Sequence, residues 1–254
     1  MDDDIETINH MNVVTISREY GSGGGEIAAR LAKRLGWQLI DHEIVEHVAN
    51  EMGTSVQEAE ARDERTEGML ERALHSMVYL DPGLLGDAPP IEFLSNEATY
   101  RNTVSDIVKA AAARGHAVIV GRGSQVLLAT RRDALHVRVI AALEQRVAYV
   151  MQREGVDQTA AQSRIQMKDH DRAKYFEAEY HRKSDDAHLY DIVLNTSVLD
   201  LESAVDIICL TLQQKAKMLA VKTGELGPAA GMLRYAGQPE DFRPPAVQDN
   251  ESRV

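Results

Sequence analysis

The sequence predicts an α/β fold of three layers, built on a five-stranded parallel sheet with a helical lid and a helical insertion. Three observations lead there. Short apolar runs alternate with longer helical stretches between residues 12 and 222. Several of those runs are continuously apolar, as strands covered on both faces must be. The first of them passes through a glycine-rich loop, "SREYGSGGG", directly into a helix. No internal repeat interrupts the pattern, and at 44% hydrophobic residues the 254-residue chain can bury a sizeable core.

The expected strands cover residues 12–16, 37–40, 117–120, 135–140 and 190–194. The first helix spans 24–35 and stops at Gly36, a residue suited to a helix C-terminus. A second is expected over about 41–51. A long third runs over about 55–79, opened by the capping box Thr54 to Gln57 and carrying Met69, Leu70, Ala73, Leu74, Met77 and Val78 on one stripe. "DPGLLGDAPP" breaks the chain at 81–90, and a helix over about 95–114 then feeds the third strand. Residues 54–114 thus form the predicted insertion. Leu143, Val147, Val150 and Met151 mark an amphipathic helix, Asp157 caps a more polar one within a lid of about 153–183, and Asp200 caps the last. Residues 1–11 and 223–254 read as acidic, poorly ordered tails.

Charge narrows the function. Of the net −12, residues 1–11 carry −4 and residues 223–254 carry −2, leaving a mild acidic excess on the domain between them. That balance argues against a duplex-DNA binder, which presents a basic face. The single cysteine, Cys209, lies among Ile207, Ile208 and Leu210 and reads as a small buried hydrophobe. No apolar run approaches the roughly 20 residues of a membrane span, and the N-terminus is acidic where a signal peptide is basic, so the expected location is cytoplasmic.

The glycine loop has three readings. A dinucleotide turn has Gly21 and Gly23 before a helix and Asp41 twenty positions after Gly21, but Glu26 replaces its third glycine and Ser17 to Tyr20 make the turn too long. A ligand-free turn must account for four glycines among five residues, an arrangement costly in chain entropy. A phosphate loop of the GxxxxGK(S/T) kind fits the length. Its amides wrap phosphates, and the helix dipole adds to the attraction. With Gly23 as its last glycine, Arg18 takes the first glycine's place, Gly24 the lysine's and Gly25 that of the hydroxyl that ligates magnesium. Ser17, Arg18, Gly21, Ser22, Gly23, Gly24 and Gly25 are then the nucleotide-binding candidates, and the Arg18 guanidinium offers phosphate a fork of donors that lysine lacks.

Taken with "VIVGRGSQVLL", "KDHDRAKYF" and "LYDIVLNTS", the segment "ISREYGSGGGEIA" resembles the cytidylate kinase-like family of nucleoside monophosphate kinases, over roughly residues 12–215. The resemblance implies a P-loop fold, ATP bound with Mg2+, and phosphoryl transfer to CMP or a similar small acceptor. It also implies that arginines of the 153–183 region belong to the lid. Gly24 and Gly25 depart from the usual loop, and Gly123 stands where cytidylate kinases have an aspartate that helps hold the acceptor.

Phosphoryl transfer needs positive charge around the migrating group and exclusion of water. Arg164, Lys168 and Arg172 recur at i, i+4 and i+8, which on a helix places them within about 80° of arc. With Arg18, and with Arg153 at the Gly155 break, they are the catalytic candidates; solvated charges on an exposed helix are the alternative. Arg122 follows a buried strand at the edge where open α/β sheets bind ligands, and is the candidate for the acceptor's phosphate. Asp41 is either part of the acceptor pocket or a helix cap. The histidines show no metal-ligand spacing, so no protein metal site is expected. The expected partners are small nucleotides, with no nucleic acid or membrane, and the sequence does not specify an oligomer. Two further readings stand beside the kinase: a catalytically silent nucleotide-binding module, and an interaction protein.

Overall fold

The computed structural model describes residues 8–41 and 97–227, so the helices expected over about 41–51 and 55–79 lie outside the described residues. The chain divides into two units, Met1–Leu219 and Ala220–Val254. In the second, Thr223–Glu225 forms a short 3-10 turn.

The elements of the first unit are β1 (Val13–Arg18), α1 (Gly24–Leu35), β2 (Gln38–Ile40), α2 (Glu97–Arg114), β3 (Ala117–Val120), α3 (Ser124–Leu127), β4 (Ala134–Ile140), α4 (Leu143–Glu154), α5 (Gln158–Tyr180), β5 (Ile192–Asn195) and α6 (Leu201–Lys217). The five strands form one parallel sheet in the order β2-β3-β1-β4-β5. This is the P-loop type of α/β sheet. Strand order reverses at β1, which lies between β3 and β4, and a crevice opens at such a switch point beyond the carboxyl ends of the strands.

Alternation along the strands sends side chains to two different cores. On one face Val14 and Ile16 of β1 and Leu135, Val137 and Val139 of β4 pack with Ile27 and Leu31 of α1 and with Val205, Ile208 and Leu212 of α6. On the other, Val13, Ala117, Ile119 and Ala134 pack with Ile107, Val108 and Ala111 of α2. That second face changes character towards the carboxyl ends, where β1 and β4 present Thr15, Ser17, His136 and Arg138. The strand at 134–140, which reads as an apolar run, is thus apolar on one side only.

Ile8 and Met11, assigned by sequence to the acidic tail, belong to the first core and are buried. The apolar side chains decide here, and the acidic residues precede them. Helix ends follow the sequence signals. Gly36 and Gly155 close α1 and α4 in the left-handed conformation. Asp157 accepts from the Ala160 amide at 2.8 Å, and Asp200 from those of Glu202 and Ser203, both at 2.9 Å.

Candidate functional site

The glycine loop leaves β1 at Arg18 and enters α1 at Gly24. Gly21 and Gly23 have φ of 81° and 77°, which bulky residues avoid, and a Cβ on Gly23 would lie 2.6 Å from Leu201 Cδ2. The Ser22 hydroxyl points into the protein, donating to the carbonyls of Glu19 (2.9 Å) and Val139 (3.2 Å), so it shapes the loop. Among the described residues, the amides of Gly21, Gly23, Gly24 and Gly25 have no protein acceptor. Such amides at a helix N-terminus suit an anion.

Gly24 has a local cause. A Cβ at this position would come within 2.7 Å of Arg18 Cβ, because the arginine stem lies across the start of α1. Arg18 and a lysine at 24 therefore compete for the same space, and one cation excludes the other. Gly25 has no such cause, since a Cβ there would meet nothing within 4 Å.

A cleft of about 1280 Å³ opens at the carboxyl ends of β1, β3 and β4, beneath α5. Six sequence-predicted residues line it: Ser17, Arg18, Arg122, Arg164, Lys168 and Arg172. The i, i+4, i+8 face of α5 does turn towards the sheet. Gly21 to Gly25, Asp41 and Arg153 lie outside the lining. Asp41 touches it indirectly, 3.3 Å from Arg18 Nη2. Arg153 sits over the first turn of α1, 3.6 Å from Glu26, with its guanidinium donating to the Tyr149 hydroxyl at 2.6 Å.

The cations of the cleft crowd one another. Arg172 has its pKa pushed down to about 10, first by burial and then by the charge of Arg18, and its guanidinium lies 5.3 Å from the Tyr20 ring centre. Burial also lowers the Arg122 pKa, and the Arg122 guanidinium stacks 5.5 Å from the Tyr175 ring centre. Burial works against the charged form of both groups, and an anion in the cleft would favour it.

Arg122 stands in a turn of three successive left-handed residues, with φ of 80°, 55° and 62° at Gly121, Arg122 and Gly123. A Cβ on Gly123 would overlap the Tyr180 ring, and the Tyr180 hydroxyl donates to the Arg122 carbonyl at 2.7 Å. The end of α5 is thereby seated on the turn. At the other side of the cleft Asp169 of α5 accepts from the Tyr20 amide at 2.8 Å and pairs with Arg146, which also donates to the Tyr20 carbonyl at 3.3 Å. Arg164 pairs with Glu154, which in turn accepts from the Tyr20 hydroxyl at 2.6 Å and, with burial the larger cause, raises its pKa to about 12.

Sequence reasoning missed Asp169, Tyr190, Gln125 and Arg138. Arg138 left a readable signal: a charge in the middle of a strand whose alternate residues are core is unfavourable and calls for a reason. Asp169, Gln125 and Tyr190 lie in the segments that carry the family resemblance, but no spacing or charge pattern singles them out there.

Magnesium finds little at the loop. Position 25 offers no side-chain oxygen, and among the described residues no group of three or more His, Cys, Asp or Glu is placed to hold a metal ion. The described side chains at the loop therefore do not fit a protein site for it. Among the described residues no helix is long and apolar enough to cross a membrane.

Comparison with known proteins gives three findings. The family model described as the cytidylate kinase-like family matches residues 13–198. A segment of 121 residues, 48% of this chain, is 30% identical to the uronate isomerase of Corynebacterium glutamicum, and spans only 23% of that protein's length. The crystal structure of an uncharacterized protein from Eubacterium ventriosum is similar over 79% of this chain and 98% of its own, at 21% identity and a TM-score of 0.58, a likeness of fold.

Proposed function

The chain belongs to the cytidylate kinase-like family, and from that premise we propose that it transfers the γ-phosphoryl group of ATP to CMP or a related small acceptor. The observation that carries this reading is the gathering of Arg18, Arg122, Arg164, Lys168 and Arg172 around one cleft at the switch point of the sheet, beside a glycine loop with unpaired amides. Phosphoryl transfer asks for this arrangement: fixed positive charge, amide donors and a helix that shields the site from water.

In the reaction an oxygen of the acceptor phosphate forms a bond to the γ-phosphorus as the bond from that phosphorus to the β,γ-bridging oxygen breaks, and ADP leaves with the electron pair. The acceptor oxygen is already anionic, so no general base is required. The loop amides and Arg18 hold the donor phosphates, Arg122 orients the acceptor phosphate, and Arg164, Lys168 and Arg172 cover the group in transit. Magnesium bound with ATP would add positive charge at the donor phosphates.

A second reading has one observation in its favour. Gly25 lacks the magnesium hydroxyl although the space for it is open, as in a nucleotide-binding module that no longer turns over. A coupled ADP-release assay across the common nucleoside monophosphates, run beside ATP calorimetry, separates the two. Turnover with one acceptor is the expected result, ATP binding without turnover selects the silent module, and no nucleotide binding ends both. Arg18→Ala is expected to weaken ATP binding about tenfold, the scale of a lost hydrogen bond to a charged group.

A further inference from the structure

We propose that Arg138, which no part of the kinase reading employs, is an oxyanion clamp on the acceptor side of the cleft, so that the acceptor is an anion held through a phosphate or carboxylate group. The word acceptor rests on the kinase reading above, whereas the clamp rests on the geometry that follows.

Arg138 is the fifth residue of β4, only 8% exposed, and lines the cleft. Among the described residues it forms no ion pair. Its guanidinium is nonetheless fixed in place. Nη1 donates to Ser17 Oγ at 3.1 Å and to the Tyr190 hydroxyl at 3.4 Å, and the Tyr190 ring lies 5.6 Å from Cζ. Tyr190 is itself held, donating to the Ser184 carbonyl at 2.6 Å and accepting from Gln125 Nε2 at 3.2 Å. One edge of the guanidinium is therefore used, while Nη2 and Nε have no acceptor among the described residues. An arginine held on one edge, open on the other and uncompensated by acid is prepared for a bidentate oxyanion.

Position assigns the clamp to the acceptor. Arg138 pairs with Ser17 across β1 and β4, on the sheet face of Thr15 and His136. The glycine loop feeds α1, which packs on the opposite face with Val14 and Ile16. Gln125 belongs to α3, immediately after the Arg122 turn. The Arg138 network thus touches the donor loop only at its first candidate, Ser17, and otherwise meets the Arg122 turn on the sheet face opposite α1.

Burial makes the two roles of an arginine distinguishable. A structural arginine is missed when removed, but an uncompensated one kept for a ligand is a burden on the empty protein. The test uses the full chain, the Arg138→Met variant of similar length and the Arg138→Lys variant. AMP-PNP affinity is measured first by calorimetry, and CMP, cytidine, inorganic phosphate and acetate are then titrated with AMP-PNP saturating. The expected result is that the wild type binds CMP or a simple oxyanion more tightly than cytidine. Arg138→Met should lose about tenfold or more of that anion affinity, Arg138→Lys less, with AMP-PNP affinity unchanged and the unliganded melting temperature equal or higher. CMP and phosphate without acetate would identify a phosphate clamp, and acetate among the ligands a carboxylate clamp. Anion affinity within twofold of wild type in Arg138→Met, no anion binding by the wild type, or a melting temperature several degrees lower would overturn the proposal. Failure of AMP-PNP to bind the wild type counts against the kinase reading alone; the anion titrations are then run without it and judge the clamp by the same outcomes.

Discussion

The cleft and the glycine loop beside it are built from different materials. The loop between β1 and α1, the proposed donor side, offers its backbone: the amides of Gly21, Gly23, Gly24 and Gly25 have no acceptor among the described residues, and the Ser22 side chain turns inward. The proposed acceptor side instead offers side chains, Arg122 after β3 and Arg138 within β4, each stacked on a tyrosine. A backbone site is specified by where glycine must stand, whereas a side-chain site is specified by what surrounds each charge. The first fails through sterics when a Cβ is added. The second fails through electrostatics when a charge is removed.

The donor side can be broken most sharply by restoring the residue it lacks. Gly24→Lys places a Cβ against Arg18 Cβ, so it should weaken ATP binding by ten- to a hundredfold, in line with overpacking of about 1–3 kcal/mol. Arg18→Gly combined with Gly24→Lys should recover much of the loss, as ATP calorimetry on all three proteins would reveal. On the acceptor side, Gly123→Ala meets both a φ of 62° and the Tyr180 ring, and a loss of about 2 kcal/mol in denaturant unfolding is expected.

A subtler contrast comes from pH. The fold disfavours the Arg172 cation, whose pKa is lowered to about 10, so the unfolded chain holds that proton more tightly. Stability from this group rises as the pH climbs through about 10, where the folded protein sheds the proton first. Arg172→Met should accordingly be more stable than wild type at pH 8, with the gap beginning to narrow only above about pH 10 in urea titrations. Gly25→Ser fills open space in the first turn of α1 and should add about 0.5 kcal/mol through helix propensity. Arg153→Ala removes an exposed pair with Glu26 and should change ATP affinity less than twofold, with stability shifts within about 0.5 kcal/mol.

The same contrast governs what could be read from the sequence. All five strands were legible from short apolar runs, and β3 and α1 to the residue, because burial on both faces of a parallel sheet leaves a continuous signal. The i, i+4, i+8 cations of α5 were legible because helical spacing is periodic. Arg138 hid inside a strand whose apolar neighbours dominated, and only the packing of α2 against the other half of that face separates its core from its polar end. The Arg18–Gly24 exchange was out of reach for a different reason. The sequence places these residues six apart, and their steric conflict arises only when the loop folds back over the helix start.

The two ends of α5 are held differently. The tail end of α5 is pegged to the Arg122 turn by Tyr180, while its head joins α4 through Gly155, around which a Cβ would find only open space. Between them, Asp169 fastens the helix to the loop through the Tyr20 amide. The helix is thus hung like a door, with its hinge post at Tyr180 and its latch at Asp169.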